Sequence, residues 1–402
     1  MLWARFVVIA AVCAAGAAAE SLTPVWIELG PAKQVLARVV VRSGSDCPVL
    51  DADGKPLAMR LRLPAPANFE PACEALIPEG TRKLRAGSRT LRLPNSPKTV
   101  VVLGDTGCRV KAANIQDCAD PEKWPFGLVS SQVAKARPDL IVHVGDYLYR
   151  EDVCPDSSPG CRGPHGDNWA TWQADFFTPG AAALEAAPWV FSRGNHEECT
   201  RAWRGWFYYL DPRPFTGSCS VYSAPYVATS GNLSIGMLDS SAAGVRIDSA
   251  QVDRFASQLA SFSGQASWIA DHHPFWSYSG AGVGTTAPLV AAWNRTSPAG
   301  VHFILSGHLH LFQFLSFNQT LPNQLIAGDG GTALSRSVKS DFSGASMNGV
   351  VVRSGKSEHV FGFTVLRRAR HRWNLSLKTS QGATLVTCRV FDDGPATCRN
   401  SK

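Results

Sequence analysis

The sequence predicts an α/β protein with a small all-β segment at its start and an antiparallel tail. Three observations predict it. Residues from Val25 to Leu93 hold short alternating segments, such as "VLARVVVRS" and "TRKLRAGSRTLRLP", cut by proline and glycine, with no stretch of helical period. After Lys98 unalternating apolar runs recur ("TVVVLGD", "DLIVHVGD", "PWVFSRGNH", "NLSIGMLD", "QASWIADHH", "VHFILSGHLH"), the pattern of strands buried on both faces in helix-covered sheets. From Phe361 onward "FGFTVLRR", "RWNLSLKTS" and "TLVTCRVF" alternate at period two.

The elements follow in chain order. "MLWAR" is a short basic start, "FVVIAAVCAAGA" is an apolar core too short to span a bilayer, and "AAA" before Glu20 is a small-residue cleavage site. Residues 1–19 therefore read as a secretory signal peptide, which predicts a periplasmic or secreted protein. A small β domain is expected over 20–97, ending in the linker "PNSPK", and a catalytic domain over 98–402. "SAQVDRFASQLASF" reads as an amphipathic helix with Ser249 as its N-cap.

Of eleven cysteines, Cys13 falls in the leader and ten remain, an even number suited to an oxidising compartment. No CxxC spacing occurs. Proximity pairs them as Cys47/Cys73, Cys108/Cys118, Cys154/Cys161, Cys199/Cys219 and Cys388/Cys398. The formal charge of +7 on 402 residues is a mild excess that attracts anionic substrates. There is no basic, aromatic-interleaved run of the kind that binds nucleic acid, and no later stretch long and apolar enough to span a membrane.

The buried runs end in potential metal ligands: Asp105, Asp146, Asn195 with His196, His272, and His308 with His310. Ligands bind outside the carboxyl ends of strands in open sheets, so this set predicts one metal site. The order "GD…GDxxY…GNHE…HxP…GHxH" resembles the signature of calcineurin-like metallophosphoesterases over roughly 98–332. That resemblance implies a four-layer αββα sandwich preceded by the small all-β segment. It also implies a two-metal site that hydrolyses a phosphate ester with a metal-bound hydroxide. Asp146 would bridge the metals, Asp105 and His310 would hold the first, and Asn195, His272 and His308 the second.

Many members of that family open with Asp-x-His, whose histidine binds the first metal. Here the stretch is "GDTG", and Gly107 stands in the histidine's place. Tyr149, three residues past Asp146, has the Asp-x-x-Tyr spacing of purple acid phosphatases, in which a tyrosinate binds iron(III) and gives the colour. "DHHPFWS" is similar to the His-x-Pro-x-Trp-Ser run of the small mammalian-type members. The resemblance thus implies iron at the Tyr149 site and a second iron, zinc or manganese.

His196 is expected to act on the leaving-group oxygen or hold phosphate, with Glu197 orienting its ring. The loop "SYSGAGVGTTAP" lacks the further histidine usual in purple phosphatases, so His273 is the other candidate acid. Arg193 and Arg162 are candidate phosphate holders, and His165 a loop histidine within possible reach. His143 and His302 read as core or supporting residues, and Tyr147 as core or rim. The expected substrate is a small phosphate monoester. The same site could serve phosphodiesters or nucleotides, and a non-catalytic metal-binding or adhesion protein is the reading from another class.

Overall fold

The buried runs after Lys98 form strands whose alternate residues face two different cores. Val101 and Leu103 pack against helices, while Val100 and Val102 face a second sheet. That two-sided burial is why the runs lack polar alternation. The computed structural model describes residues 20–93, 96–318, 320–347, 349–392 and 394–401. The leader expected over 1–19, with Cys13, lies outside the described residues.

Thr99–Leu103, Leu140–His143 and Trp189–Phe191 pair in parallel at the centre of an eleven-stranded sheet. The antiparallel tail, Gly362–Ala369 through Thr397–Asn400, adds to one side of it. An eight-stranded sheet contains Leu233–Met237, Trp268–Ala270, Phe303–Ser306 and Asn323–Ala327, parallel in that order. The sheets meet through Val100, Val102 and Val142 on one side and Trp268, Phe303 and Leu325 on the other. Helices Phe126–Lys135 and Thr178–Leu184 cover the outer face of the first sheet. Ser249–Ala260 and Ala287–Thr296 cover that of the second. This is the expected four-layer αββα sandwich.

The helix at Ser249 starts one residue differently from expectation. Asp248 is its N-cap, its carboxylate accepting from the N–H groups of Ala250 (2.8 Å) and Gln251 (3.3 Å), and Ser249 is the first helical residue.

The N-terminal region is all-β, as expected, and four of its strands continue the first sheet. Trp26–Leu29 lies parallel to Trp189–Phe191, with Glu28 opposite Trp189, and Val35–Val40, Ala72–Leu76 and Arg60–Leu61 follow. The other four form a separate sheet that packs Leu50, Leu84 and Leu91 against Ile27 and Val39. The ten cysteines form the five bonds that proximity suggested. Inside the Cys108–Cys118 loop, Val110–Lys111 and Asn114–Ile115 make a short hairpin that sequence reading did not anticipate.

Candidate metal centre and active-site cleft

Each ligand-bearing run ends by turning sharply at the strand's carboxyl end. Asp105, Asp146 and His308 have φ of 54°, 61° and 69°, a left-handed backbone that side chains adopt reluctantly. Two parallel bonds hold the first two turns together: Asp105 N–H donates to Gly145 O (2.9 Å) and Thr106 N–H to Asp146 O (3.1 Å). The turns bring side chains from five loops to one place. Ligand atoms of Asp105, Asp146 and His310 lie within 4.8 Å of one another.

Tyr149 belongs to this group. Its hydroxyl is 2.7 Å from Asp146 Oδ2, 2.9 Å from His310 Nε2 and 3.0 Å from Asp105 Oδ1. Gly107, where a histidine was missing, has no room for one: a Cβ there would lie 2.5 Å from Tyr147 O and 2.9 Å from Tyr149 N. Asp175 fixes this loop by accepting from the N–H groups of Tyr149 (2.8 Å) and Arg150 (3.1 Å) and from Arg150 Nε (2.7 Å).

A second group adjoins the first. Asn195 Oδ1 is 2.9 Å from both His272 Nε2 and His308 Nδ1, and His272 Nε2 is 3.2 Å from Asp146 Oδ2. Asp146 therefore touches both groups, the position of a bridge. His272 and His310 each direct Nδ1 at a backbone carbonyl, Val144 O and Ala333 O, both at 2.8 Å. Since a carbonyl only accepts, Nδ1 carries the proton and Nε2 keeps its lone pair for the cluster.

The electrostatics fit a cation. Asp105, Asp146 and Tyr149 are fully buried, and no Lys or Arg makes an ion pair with either carboxylate among the described residues. Burial, then the Asp105 and Asp146 carboxylates, pushes the Tyr149 phenol well above its usual range. Burial likewise pushes Asp105 up. Asp146 is drawn well below the carboxylate range: burial opposes its charge, but the imidazoles of His272 and His196 outweigh it. Carboxyl, phenol and imidazole groups buried together are a donor set that a divalent or trivalent ion satisfies by displacing their protons.

The remaining expectations divide. His196 lines a cleft of about 680 Å³ in front of the cluster. Its ring lies over Tyr149 at 3.7 Å between centroids, with Nδ1 2.6 Å from Glu151 Oε1 and Nε2 3.8 Å from Asp146 Oδ2. Glu197 does not orient that ring. Its carboxylate accepts from the N–H groups of Tyr147 (2.8 Å), Gly194 (3.1 Å), Asp146 and Leu148 (both 3.2 Å), stapling the bridging loop to the Asn195 turn. The partners of His196 are instead Glu151 and Arg201, neither of which sequence reading singled out.

His273 sits behind His308, their rings 4.1 Å apart, and does not line the cleft. Burial, then His272, pushes its imidazole down to about 3, so it stays neutral and is a poor proton donor. Arg193 is buried on Glu197 O, Ser220 O and Asp239, and neither it, Arg162 nor His165 lines the cleft. His143 is a core residue, bonded to Thr106 Oγ1 and stacked on Tyr147.

Two open-edged sheets between helix layers, with strand-end acids, imidazoles and an amide converging on one cleft, define a dinuclear metallohydrolase. Residues 98–312 match the model of the calcineurin-like phosphoesterases, and the chain belongs to that family; it is a metallophosphoesterase, a hydrolase. Among solved structures it is similar to purple acid phosphatase PPD1 from yellow lupin (Lupinus luteus) seeds. The identity is 15%, the TM-score 0.57, and the match covers 93% of this chain and 73% of that one. PhoD is similar at 12% identity and a TM-score of 0.56, covering 94% of this chain and 91% of that one. No curated protein matches the sequence. Among the described residues no helix is long and apolar enough to cross a membrane.

Proposed function

We propose that this chain is an exported phosphatase of the purple acid type, hydrolysing small phosphate monoesters. Asp105, Asp146, Tyr149 and His310 would hold an iron. Asp146, Asn195, His272 and His308 would hold a second ion, iron, zinc or manganese. When bound, the two metals supply Lewis acidity for a phosphoryl oxygen and a water activated at neutral pH.

The chain's own residues do the rest. His196 donates a proton from Nε2 to the leaving oxygen as the phosphorus–oxygen bond breaks; burial pulls its imidazole below the usual range, and Asp146 and Glu151 work against that fall. Its place on the cleft wall beside Asp146 supports that role. Glu197 and Asp175 act through the backbone, holding Asp146 in its left-handed turn and Tyr149 in the loop that follows. The five disulfides support the export reading, since such bonds persist in oxidising compartments.

One observation carries the iron reading: the Tyr149 hydroxyl lies 2.7–3.0 Å from three ligand atoms, beside a Gly107 that admits no side chain. The test is to purify the exported protein, assay its metals, record a visible spectrum and measure hydrolysis of p-nitrophenyl phosphate. A coloured, iron-containing, active protein is expected. Colourless, iron-free but active protein overturns the tyrosinate assignment alone; metal-loaded protein without hydrolysis overturns the phosphatase.

A further inference from the structure

We infer that Arg109 grips the substrate's phosphoryl group and makes this site selective for phosphate monoesters over diesters. The inference rests on the phosphatase reading above. Three cations line the cleft: Arg109, Lys111 and Arg201. Two of them are already engaged. Lys111 Nζ is 2.7 Å from Glu151 Oε2, and Arg201 pairs with the same carboxylate.

Arg109 is different. Its side chain has no carboxylate partner and no hydrogen-bond acceptor among the described residues; its Nε is buried without a partner, as is that of Arg201, whose guanidinium is otherwise engaged. A buried donor left unpaired loses its hydration with nothing in return. Such a group is explained when something that enters the site satisfies it. The guanidinium lies 5.8 Å from the centroid of the Tyr149 ring, whose hydroxyl is in the metal cluster. It therefore stands at the edge of the place where the phosphoryl group must bind.

The loop that carries Arg109 is fixed before any ligand arrives. The Cys108–Cys118 bond closes it. Arg109 N–H donates to Gln116 Oε1 (3.0 Å), Gln116 N–H donates back to Arg109 O (2.7 Å), and Val110 N–H donates to Tyr149 O (3.0 Å). Gln116 Nε2 reaches Gly331 O at 2.9 Å and its Oε1 accepts from Ala333 N–H (3.1 Å), tying the loop to the segment over 331–333. With its backbone held this way, Arg109 has only side-chain freedom to lose on binding, and its guanidinium acts on transition-state charge.

The preference for monoesters follows from oxygen chemistry. A monoester dianion presents three terminal oxygens, enough to meet two metals and still accept two N–H groups from a planar guanidinium. A diester has only two terminal oxygens and one negative charge, and its second ester substituent competes for the same side of the cleft.

The experiment compares wild type, Arg109→Ala and Arg109→Lys, all metal-loaded, on p-nitrophenyl phosphate and on bis(p-nitrophenyl) phosphate. Inorganic phosphate affinity is measured by calorimetry, with metal content and Tm alongside. In Arg109→Ala, kcat/KM for the monoester should fall about 10²–10³-fold, while the diester falls several-fold less. Phosphate should bind more weakly, and metal content and Tm should hold. Arg109→Lys, which keeps the charge and loses the fork, should recover only part of the loss. Equal losses on both esters, or undiminished phosphate binding, overturn the inference. A wild type that cleaves neither ester instead overturns the phosphatase reading on which it rests.

Discussion

Two glutamates near His196 look alike in sequence and do opposite things. Glu197 accepts four backbone N–H groups and is fully buried. Glu197→Ala should strand those donors and cost on the order of several kcal/mol, with metal content falling too; urea unfolding and metal assay check it. Glu151 faces the cleft and pairs with His196, Lys111 and Arg201. Burial works against its charge, but His196 and Arg201 draw its carboxyl down to about 2, so it is ionised at working pH. Removing that charge in Glu151→Gln lowers the His196 pKa, because a neighbouring anion favours imidazolium. As His196 must be protonated to act, the alkaline limb of kcat/KM should move to lower pH, and some folding stability should be lost too, because the folded state holds the Glu151 carboxyl well below its unfolded pKa. Tyr149→Phe keeps the ring over His196 and loses the oxygen. Its visible band should vanish and its metal content at the first site should drop. An unchanged spectrum would exclude the tyrosinate.

At the scale of elements, what could be read from the sequence was what is local. Unalternating apolar runs announced two-sided strands, their terminal acids and histidines announced the cleft, and cysteine spacing announced five closed loops. Contacts between loops far apart in the chain left no such trace. Glu151 and Arg201 are 50 residues apart, and Arg109 sits one residue past a cysteine with nothing in its spacing to mark it. Glu197 was given the wrong role because adjacency in sequence suggested its own neighbour, whereas the turn aims its carboxylate at residues 146–148. The helix start is a smaller case of the same kind. Both Asp248 and Ser249 are good caps by type, and only the backbone decides which side chain faces the free N–H groups. Asp248→Ala should therefore cost about 1 kcal/mol and Ser249→Ala close to nothing, as thermal melts of the two variants would show.

At the scale of the molecule, alternation identified the N-terminal strands but could not name their partners. Glu28 pairs across to Trp189 in the catalytic sheet, and a buried charge network spans the same junction. Arg38, with no exposed surface, meets Glu28 Oε2 at 2.8 Å, Glu74 Oε2 at 3.2 Å and Tyr209 O at 2.9 Å. Arg62 joins Glu74 at 2.8 Å and donates to the carbonyls of Phe207, Asp211 and Arg213. Removing one partner of a buried pair leaves the other charge unsolvated, so Arg38→Ala should cost about 3–5 kcal/mol. That loss would fall on both sides of the junction at once, because a continuous sheet and a shared ion network couple them. Wild type should therefore unfold in one transition, with active-site fluorescence and far-UV signals coinciding. In Arg38→Ala the midpoint should move and the two signals stay together. Should the N-terminal strands melt first while residues 98–401 keep their metal and activity, the region over 20–97 would be an independent domain, and the sheet pairing at Glu28 would contribute little to the catalytic fold.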